Sequence, residues 1–479
     1  MDVPIFNYVN QYLASDPTRL HMPGHKGCGP LDCEDRDLTE IPGADSLYEA
    51  DGVIAASERN ASGLFACPTF YSTEGSSHCI RAMLFLAMQH KAVSIRGRRP
   101  GAYTEADEAS PQKPCGIVPS HSERSEAKPK DPDSPPLRVL AARNVHRTFL
   151  SAAALLDLDV RWLWDESPTY LSADPTPASV ERAILSERPD ALYLTSPDYL
   201  GHLVDLGPIA DVCHRHGVLL LVDNAHGAYL HFLPEPMHPM DLGADLCCDS
   251  AHKTCPVLTG GAWLHVSQRL GLPTAEIRDA LALFGSTSPS YLILQSLDLC
   301  NPWLEALPGT MPDFLPLIEA LKTELRAEGW TLCGDEPWKL TLRPRLRGRS
   351  GVELAEILSE HRIWCEFFDS DFVVLMFTPS NLYRDFDRLR EALASIPPCP
   401  ALPETALPAA RPEQVCSLRE AMLSPCVRVP AVQSLGRVLA RPGVSCPPAV
   451  PIRMPGERID EAAIAAFDAY EIQVCDVLP

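Results

Sequence analysis

The chain has 479 residues, a formal net charge of −22 and a hydrophobic content of 46%. Its length is too great for one ordinary core, so two or three domains are expected, and its acidic balance argues against a nucleic-acid partner. No apolar run approaches the roughly 20 residues that span a bilayer and no secretory signal is evident, so the sequence predicts a globular, cytoplasmic protein without a membrane partner.

The first part of the chain is predicted to contain two helices and a long insertion. Turn-rich residues 1–52 precede a helix over 53–66, and a second helix over 78–89 follows the loop at 71–77. Residues 95–136 carry many prolines and mixed charges but almost no periodic apolar positions, so we interpret them as a disordered surface insertion.

From residue 137 onward, strand patterns alternate with helix patterns, which predicts a mostly parallel sheet covered on both faces. The predicted strands are 138–142, 158–163, 191–195, 218–223, 244–248 and 261–266. The predicted helices between them are 147–156, 177–187 and 207–216. Ligands of such sheets bind at the carboxyl ends of the strands.

The last third of the chain is predicted to form two smaller units after a helical stretch over 285–325. In the first unit, the predicted strands are 338–343, 363–368 and 372–377, and the predicted helices are 351–361 and 383–395. Residues 397–412 are rich in proline and are interpreted as a linker. In the last unit, the predicted helices are 413–423 and 460–470, and the predicted strands are 427–432, 450–453 and 471–477.

The 17 cysteines are scattered singly, apart from the neighbours Cys247 and Cys248. No paired C-x-x-C spacing is present, so the sequence indicates neither a metal site nor a disulfide framework. Reduced thiols in a cytosol are the simplest interpretation.

Two strand ends carry the most informative side chains. Asp223 ends the aliphatic run 218–222, and Lys253 follows the apolar segment 244–248. Each alone has an ordinary interpretation, Asp223 as a helix N-cap and Lys253 as a solvated surface lysine. Pyridoxal phosphate (PLP) needs a lysine that forms an imine and a carboxylate that pairs with its ring nitrogen. Because both residues lie at the ends of consecutive buried strands, the pair favours a PLP site.

A Gly/Ser turn is the candidate for binding the PLP phosphate. Gly75, Ser76 and Ser77 precede a predicted helix and would offer backbone N–H groups and hydroxyls. Such a turn is also a common helix cap, so the motif alone is weak. Ser250 and Thr254 offer further hydroxyls close to the lysine.

Four more residues are candidates for the surroundings of the cofactor. His146 lies just past a predicted strand end, where its ring could stack on the cofactor, and a solvent-facing histidine before a helix is the alternative. Ala225 is small enough to pack against the opposite face of the ring. His226 and His252 are either indirect supports of the site or acid–base groups that face the substrate, and the sequence leaves both roles open.

An ordered set of motifs extends over nearly the whole chain and resembles one family. The motifs are His-Met-Pro-Gly-His-Lys-Gly (21–27), Asp-Leu-Thr-Glu-Ile-Pro-Gly (37–43), Glu-Gly-Ser-Ser (74–77), Arg-Asn-Val-His (143–146), Thr-Ser-Pro (195–197), Asp-Asn-Ala-His-Gly (223–227), Ser-Ala-His-Lys-Thr (250–254), Ser-Pro-Ser-Tyr-Leu-Ile (288–293) and Pro-Gly-Glu (455–457). With this set the chain is similar to the bacterial Orn/Lys/Arg decarboxylases, which are fold-type I PLP enzymes. It resembles in particular their short form without an N-terminal wing domain.

The resemblance implies roles for the residues already singled out. Lys253 would carry the internal aldimine, Asp223 would pair with the ring nitrogen, and His146 would stack on the ring. Glu457, in the Pro-Gly-Glu motif, would be the acid that faces the substrate-binding region. The phosphate ligands would be Ser76, Ser77 and Ser250. The family also implies a homodimer, or a larger assembly of dimers, with active sites at the dimer interface.

Several positions depart from the usual pattern of this family. The family commonly has an acid where Asn224 stands and an asparagine where Glu74 stands. Its Pro-Pro-Gly-x-Pro motif here has Ala449 in place of the glycine, and Arg453 replaces an apolar neighbour. None of these departures touches Lys253.

The expected fold is therefore α/β, with a fold-type I, aspartate aminotransferase-like large domain, a small α/β domain and a C-terminal α+β domain. The expected domains are 1–300, with the N-terminal segment and the PLP-binding large domain, 301–396, with the small domain, the linker 397–412, and 413–479, the C-terminal decarboxylase domain. The expected function is decarboxylation of an amino-acid substrate (arginine, lysine or ornithine). Another PLP reaction on amino acids, or a non-catalytic decarboxylase-like protein, are the alternatives.

Overall fold

The computed structural model of the protein describes residues 1–95, 135–164, 169–403, 411–443 and 449–479. The insertion predicted at 95–136 lies, except for its two ends, outside the described residues, and so do residues 404–410 of the predicted linker. Within the described ranges, no helix combines the length and the apolar character needed to cross a membrane.

Helices and strands alternate through most of the described chain. The α-helices of the described ranges are α1 (Pro4–Ala14), α2 (Val53–Leu64), α3 (Ser76–Ile95), α4 (Arg147–Leu156), α5 (Pro177–Glu187), α6 (Leu206–Arg215), α7 (Ala251–Thr254), α8 (Thr274–Ala282), α9 (Tyr291–Ala327), α10 (Gly351–Glu360), α11 (Tyr383–Ala394), α12 (Leu418–Leu423) and α13 (Glu461–Ala469). The strands of the same ranges are β1 (Thr69–Ser72), β2 (Arg138–Ala141), β3 (Asp159–Trp162), β4 (Ala191–Thr195), β5 (Leu219–Asp223), β6 (Leu246–Asp249), β7 (Ala262–Val266), β8 (Leu332–Cys333), β9 (Lys339–Leu342), β10 (Phe367–Phe368), β11 (Val373–Met376), β12 (Val427–Pro430) and β13 (Val474–Val477). Short 3₁₀ helices lie at Glu34–Arg36, Leu47–Glu49, Ala228–Phe232, Gln268–Leu270, Pro344–Arg347 and Ala431–Gln433.

The largest sheet of the described residues has the strand order β1-β7-β6-β5-β4-β2-β3. Strand β7 is antiparallel to both of its neighbours, and the other adjacent pairs are parallel. Strand β5 is buried along its whole length, as expected for a central strand with helices on both faces. The predicted mostly parallel sheet is therefore confirmed.

The register of this sheet brings the ends of three strands together. Thr195, the last residue of β4, is opposite Asp223, and Asp223 is opposite Cys248 of β6. Helices α3, α4 and α8 contribute to the core on one face of the sheet, and α5 and α6 contribute to the core on the other. Because both faces are covered by helices, the carboxyl-end edge is the place where a ligand can reach the sheet.

Two smaller units follow the large sheet. Strands β10, β11, β9 and β8 form an antiparallel sheet, and α10 and α11 share a hydrophobic core with it and with α9. Helix α9 crosses the domain limit predicted between residues 300 and 301, and the domain limits as a set stay predictions. The antiparallel pair of β12 and β13 packs with α13 in a separate core.

Most of the predicted elements are confirmed, usually to within a few residues of their ends. Helices α4 and α5 begin and end at the predicted residues. The strand predicted at 450–453 is wrong, because Ala449 has a φ of 57° and the chain then turns so that the Met454 N–H donates to the Glu457 carboxylate (2.8 Å). Helices α1 and α8 and strands β1 and β8 were not predicted; the two strands have four and two residues and offer little periodic pattern.

Candidate active site

A cavity of about 300 Å³ lies at the carboxyl ends of the central strands. Ten residues predicted from the sequence to bind the cofactor line this cavity: Gly75, Ser76, Ser77, His146, Asp223, Ala225, His226, Ser250, His252 and Lys253. Thr254, predicted to offer a further hydroxyl, is buried next to Lys253 and is not part of the lining. These residues come from several separate stretches of the chain, and the fold brings them to one place.

Lys253 lies in α7, the short helix that follows β6. Its Nζ is 2.9 Å from Nε2 of His226. Burial lowers the pKa of Lys253, Asp223 and Glu366 oppose this shift, and Lys339 adds to it. Burial also puts the pKa of His226 well below its usual range, with Lys253 and Lys339 acting in the same direction. The site therefore favours a neutral, nucleophilic amine next to a neutral imidazole.

Asp223 ends β5 with a buried carboxylate. This carboxylate accepts hydrogen bonds from the N–H of Ala225 (3.2 Å) and the hydroxyl of Tyr193 (3.3 Å). Burial raises the pKa of Asp223, and the charge of Lys253 lowers it. Among the described residues, no arginine or lysine lies within 4.0 Å of this carboxylate, so a cation in the cavity would stabilise its ionised form. The N-cap alternative is not supported, because the next helical turn, Ala228–Phe232, has Gly227 as its N-cap.

Gly75, Ser76 and Ser77 form the start of α3. Gly75 has a φ of +74°, which favours glycine, and its N–H donates to the carbonyl of Gly260 (2.7 Å). The Ser250 hydroxyl donates to Ser76 Oγ (2.7 Å), so the two serines predicted to share a phosphate do face each other. The N–H groups at the start of a helix are well suited to bind an anion.

His146 is the N-cap of α4. Its Nδ1 accepts a hydrogen bond from the backbone N–H of Thr148 (3.2 Å) and lies 2.9 Å from Thr148 Oγ1. The histidine therefore both begins a helix, as the alternative interpretation has it, and lines the cavity. Burial and the charges of Lys253 and Arg147 lower the pKa of His146 to about 4, so its ring is neutral near pH 7.

His252 and Ala225 occupy other parts of the cavity wall. The Nδ1 of His252 is 2.9 Å from the carbonyl of Gly261 and donates to it, which leaves Nε2 as an acceptor. Burial lowers the pKa of His252. Ala225 is small and buried, which is compatible with the predicted packing of this residue against the cofactor ring.

Glu457, the acid predicted to face the substrate-binding region, also lies outside the cavity lining. Its carboxylate forms an ion pair with Arg143, with N–O distances of 2.7 and 3.0 Å, and also accepts the N–H of Met454 (2.8 Å). The substrate-facing role that the sequence suggests for Glu457 stays a prediction.

Some cavity residues were missed by the sequence reasoning. They are Asn144, Thr195, Tyr199, Thr259 and Val450. Asn144 and Thr195 belong to motifs at predicted strand ends, so a signal was present for those two. The Tyr199 hydroxyl donates to the exposed carboxylate of Glu366 (2.8 Å), and no local pattern indicates this contact, because Glu366 comes from the smaller antiparallel unit.

A buried cluster of Asp249, His238 and His265 resembles a metal site in composition. Both histidines place Nε2 at 3.0 Å from Oδ2 of Asp249. The N–H of Met240 donates to Nδ1 of His238 (3.2 Å), so the proton of neutral His238 is on Nε2 and donates to the carboxylate. Because a metal ion would need that nitrogen free, the arrangement favours a hydrogen-bond network. Burial opposes ionisation, but the two histidines hold the pKa of Asp249 well below its usual range.

Asn224 belongs to the same network. Its Nδ2 donates to Oδ1 of Asp249 at 2.6 Å, and both residues are fully buried. An amide at this position therefore supplies a donor to a buried carboxylate. This contact gives a physical reason for the absence of an acid at position 224.

Comparisons with known proteins show that the chain is similar to amino-acid decarboxylases. The family described as "Orn/Lys/Arg decarboxylase, major domain" matches residues 137–332. The chain is 28% identical to an arginine decarboxylase of Bacillus subtilis (strain 168) over 507 residues, covering 97% of this chain and 92% of that protein. It is 27% identical to an uncharacterized protein of the same strain, covering 97% of this chain and 93% of the relative.

A solved structure supports the fold. The lysine decarboxylase of Francisella novicida superposes with a TM-score of 0.71 at 16% sequence identity, covering 99% of this chain and 81% of that chain. The predicted fold-type I architecture is therefore confirmed. Taken with the family match and the relatives, these findings show that the chain is similar to the Orn/Lys/Arg decarboxylases.

Proposed function

We propose that the protein is a PLP-dependent decarboxylase that converts a basic amino acid (arginine, lysine or ornithine) to the corresponding amine and CO2. The observation that carries the proposal is the Lys253 amine, which has a lowered pKa and lines a cavity together with Asp223 and the start of α3. The similarity of the chain to decarboxylases supports the reaction class.

The residues of the cavity fit PLP. Lys253 would hold the aldehyde carbon, and the carboxylate of Asp223, which has no ion-pair partner among the described residues, would hold the ring nitrogen in its protonated form. The Ser76 and Ser250 hydroxyls with the start of α3 would bind the phosphate. The buried Nδ1 of His226 has no hydrogen-bond partner in the described part of the chain and so can serve a polar atom of the ligand. When bound, PLP supplies an electron sink for the electron pair that CO2 leaves behind.

The chain's own residues can supply the proton that decarboxylation requires. Lys253 Nζ and His226 Nε2 are 2.9 Å apart, so one proton can move between them. Because the pKa of Lys253 is lowered, the amine in its protonated form is a stronger acid than an ordinary lysine ammonium. His226 has a pKa well below its usual range, so its neutral ring can accept that proton at Nε2 and return it. We assign the delivery of the proton to the substrate's Cα to this pair.

A basic side chain on the substrate is favoured by an exposed carboxylate beside the cavity. Glu366 is held by the hydroxyl of Tyr199, which lines the cavity, and it raises the pKa of Lys253 through its charge. A negative group at this position would attract a cationic substrate. The B. subtilis relative is named an arginine decarboxylase, which agrees with a cationic substrate. From the resemblance alone we also propose a homodimer, or an assembly of dimers, in the cytoplasm.

The proposal is tested by product analysis. The purified protein, saturated with PLP, is incubated separately with arginine, lysine and ornithine, and CO2 and amine are measured. At least one substrate should give amine and CO2 in equal amounts. A 2-oxo acid without CO2 would replace decarboxylation by transamination, and bound PLP without turnover of any amino acid would indicate a non-catalytic protein.

The Lys253→Ala variant is the matched control for the chemistry. It should keep its circular dichroism spectrum but lose turnover, because it lacks the amine that would hold the cofactor. In the wild-type protein, borohydride reduction followed by peptide mass spectrometry should find the cofactor on Lys253. A cofactor adduct on Lys339, the neighbouring buried lysine, would overturn the assignment.

A further inference from the structure

The C-terminal unit, by which we mean the described residues 411–443 and 449–479, contacts the loop that carries His146. This loop, residues 142–146, joins β2 to α4, which begins at Arg147. The N–H of Arg147 donates to the carbonyl of Ala449 at 2.8 Å. The next residue, Val450, lines the cavity together with His146. The C-terminal unit therefore forms part of the wall of the candidate active site.

A second contact between the same two segments is a buried ion pair. The Arg143 guanidinium donates to both carboxylate oxygens of Glu457, at 2.7 and 3.0 Å, and the Glu457 side chain is only 2% exposed. A bidentate pair of this kind fixes both the distance and the orientation of its partners. Separation of the two partners would leave an uncompensated buried charge, which is strongly unfavourable. The pair therefore attaches the loop to the C-terminal unit.

The guanidinium of Arg143 is also held by aromatic rings. Its central carbon is 4.3 Å from the ring centroid of Trp164 and 5.5 Å from that of Trp162, which are distances typical of cation–π contacts. On the other side of the ion pair, Glu457 Oε2 accepts the N–H of Met454. Both oxygens of Glu457 are therefore occupied by donors of the chain itself.

We infer that Glu457 is a positioning residue, and that its ion pair with Arg143 sets the position of His146 at the cavity. The C-terminal unit would then control the geometry of the site without contacting the substrate through this acid. The inference rests on the proposed function only where it assigns His146 to the cofactor. The Arg143–Glu457 contact and its effect on the loop can be measured in the protein without cofactor.

The test compares Glu457→Gln with a matched control, Asp476→Asn. Asp476 forms a bidentate pair with Arg428, at 2.9 and 3.0 Å, in the same unit but between β12 and β13. Both partners of this pair are more exposed than those of the Arg143–Glu457 pair. The first readout is the rate at which diethyl pyrocarbonate modifies His146 in the apoprotein, followed by peptide mass spectrometry. Glu457→Gln should raise this rate several-fold, because the loop is released, and Asp476→Asn should leave it unchanged. An unchanged rate in folded Glu457→Gln would overturn the inference.

The second readout is steady-state kinetics of the PLP-loaded enzyme. Displacement of a group at the reacting centre by about 1 Å commonly costs roughly 100-fold, so kcat of Glu457→Gln should fall by about 10- to 100-fold for every substrate. The relative preference among arginine, lysine and ornithine should not change. A rise in KM for these three cationic substrates, with kcat retained, would instead make Glu457 a substrate ligand and overturn the inference.

A double variant keeps the test decisive if Glu457→Gln alone does not fold. Arg143→Met/Glu457→Gln removes both charges and so avoids an unpaired buried charge. It should fold and show the same raised reactivity of His146, and wild-type reactivity in this variant would overturn the inference. If the wild-type protein turns over no amino acid, the proposed function fails, but the modification rates still decide the role of Glu457.

Discussion

Replacement of Asn224 by aspartate should destabilise the protein strongly at neutral pH, because the new carboxylate would face that of Asp249. The two side chains are in direct contact, with 2.6 Å between Nδ2 of Asn224 and Oδ1 of Asp249, and both residues are fully buried. The remaining donors to Asp249 are His238 and His265. Both already donate to Asp249, so neither is available to a second acid at position 224.

The folded protein can respond to the second carboxylate in two ways, and the one with the lower free-energy cost sets the loss of stability. If both carboxylates stayed ionised about 3 Å apart, their repulsion at an effective dielectric constant near 20 would cost about 5 kcal/mol. If one of them bound a proton, a carboxyl with an ordinary pKa near 4 would cost about 4 kcal/mol at pH 7 and about 1.5 kcal/mol at pH 5. Proton uptake is cheaper, so the folded pKa of one acid is raised above its unfolded value, and the penalty grows as the pH rises.

Urea denaturation of Asn224→Asp at pH 5 and pH 7, each compared with the wild-type protein, measures this penalty. The double variant Asn224→Asp/Asp249→Asn restores one acid and one amide in reversed order. It should cost only about 1–2 kcal/mol, because His238 and His265 would donate to an amide oxygen in place of a carboxylate. A single variant as stable as the wild type at pH 7, or a double variant whose loss equals the sum of the two single losses, would refute the reasoning.

Two further predictions test the electrostatics of the protein. Asp223→Asn should weaken PLP binding by about 10- to 100-fold, since a hydrogen bond to a charged group contributes about 1.5–3 kcal/mol. Tyr193→Phe is the control; it removes only a 3.3 Å donor to Asp223 and should change the dissociation constant of PLP less. Equal effects of the two variants in a PLP titration would contradict the ring-nitrogen role of Asp223. Asp369→Asn should raise Tm at pH 8 but not at pH 4, because burial raises the pKa of Asp369 to about 7 and the wild type loses stability as pH rises from the unfolded to the folded pKa. After allowance for partial exposure, the gain in the free energy of unfolding should be about 1 kcal/mol. The amide oxygen can still accept the backbone N–H groups of Asp371 and Phe372. A gain that is equal at both pH values would contradict the raised pKa of Asp369.

The central sheet was predictable because its inner strands, β4 and β5 above all, are apolar runs, which indicate burial on both faces. Once the strands are parallel, the residues that follow them must meet at one edge, so Asp223 and Lys253 could be brought together without knowledge of the structure. The same argument reached His146 and Ser250. It could not reach Tyr199 and Glu366, because their contact joins the large sheet to the smaller antiparallel unit, and the relative placement of two units leaves no periodic trace in the sequence.

Asn224 shows what a residue-by-residue comparison with a family misses. In the sequence, the amide is a departure from a common acid, and Asp249 is only the residue that follows a predicted buried strand. The register that sets Asp223 opposite Cys248 also makes the next residues neighbours, so the amide and the buried carboxylate are partners across two strands. Because an acid at either position needs a donor at the other, the identity of one residue constrains the identity of the other. The departure at Asn224 therefore leaves the geometry of Asp223 and Lys253 intact, since the carboxylate of Asp249 is satisfied by the amide.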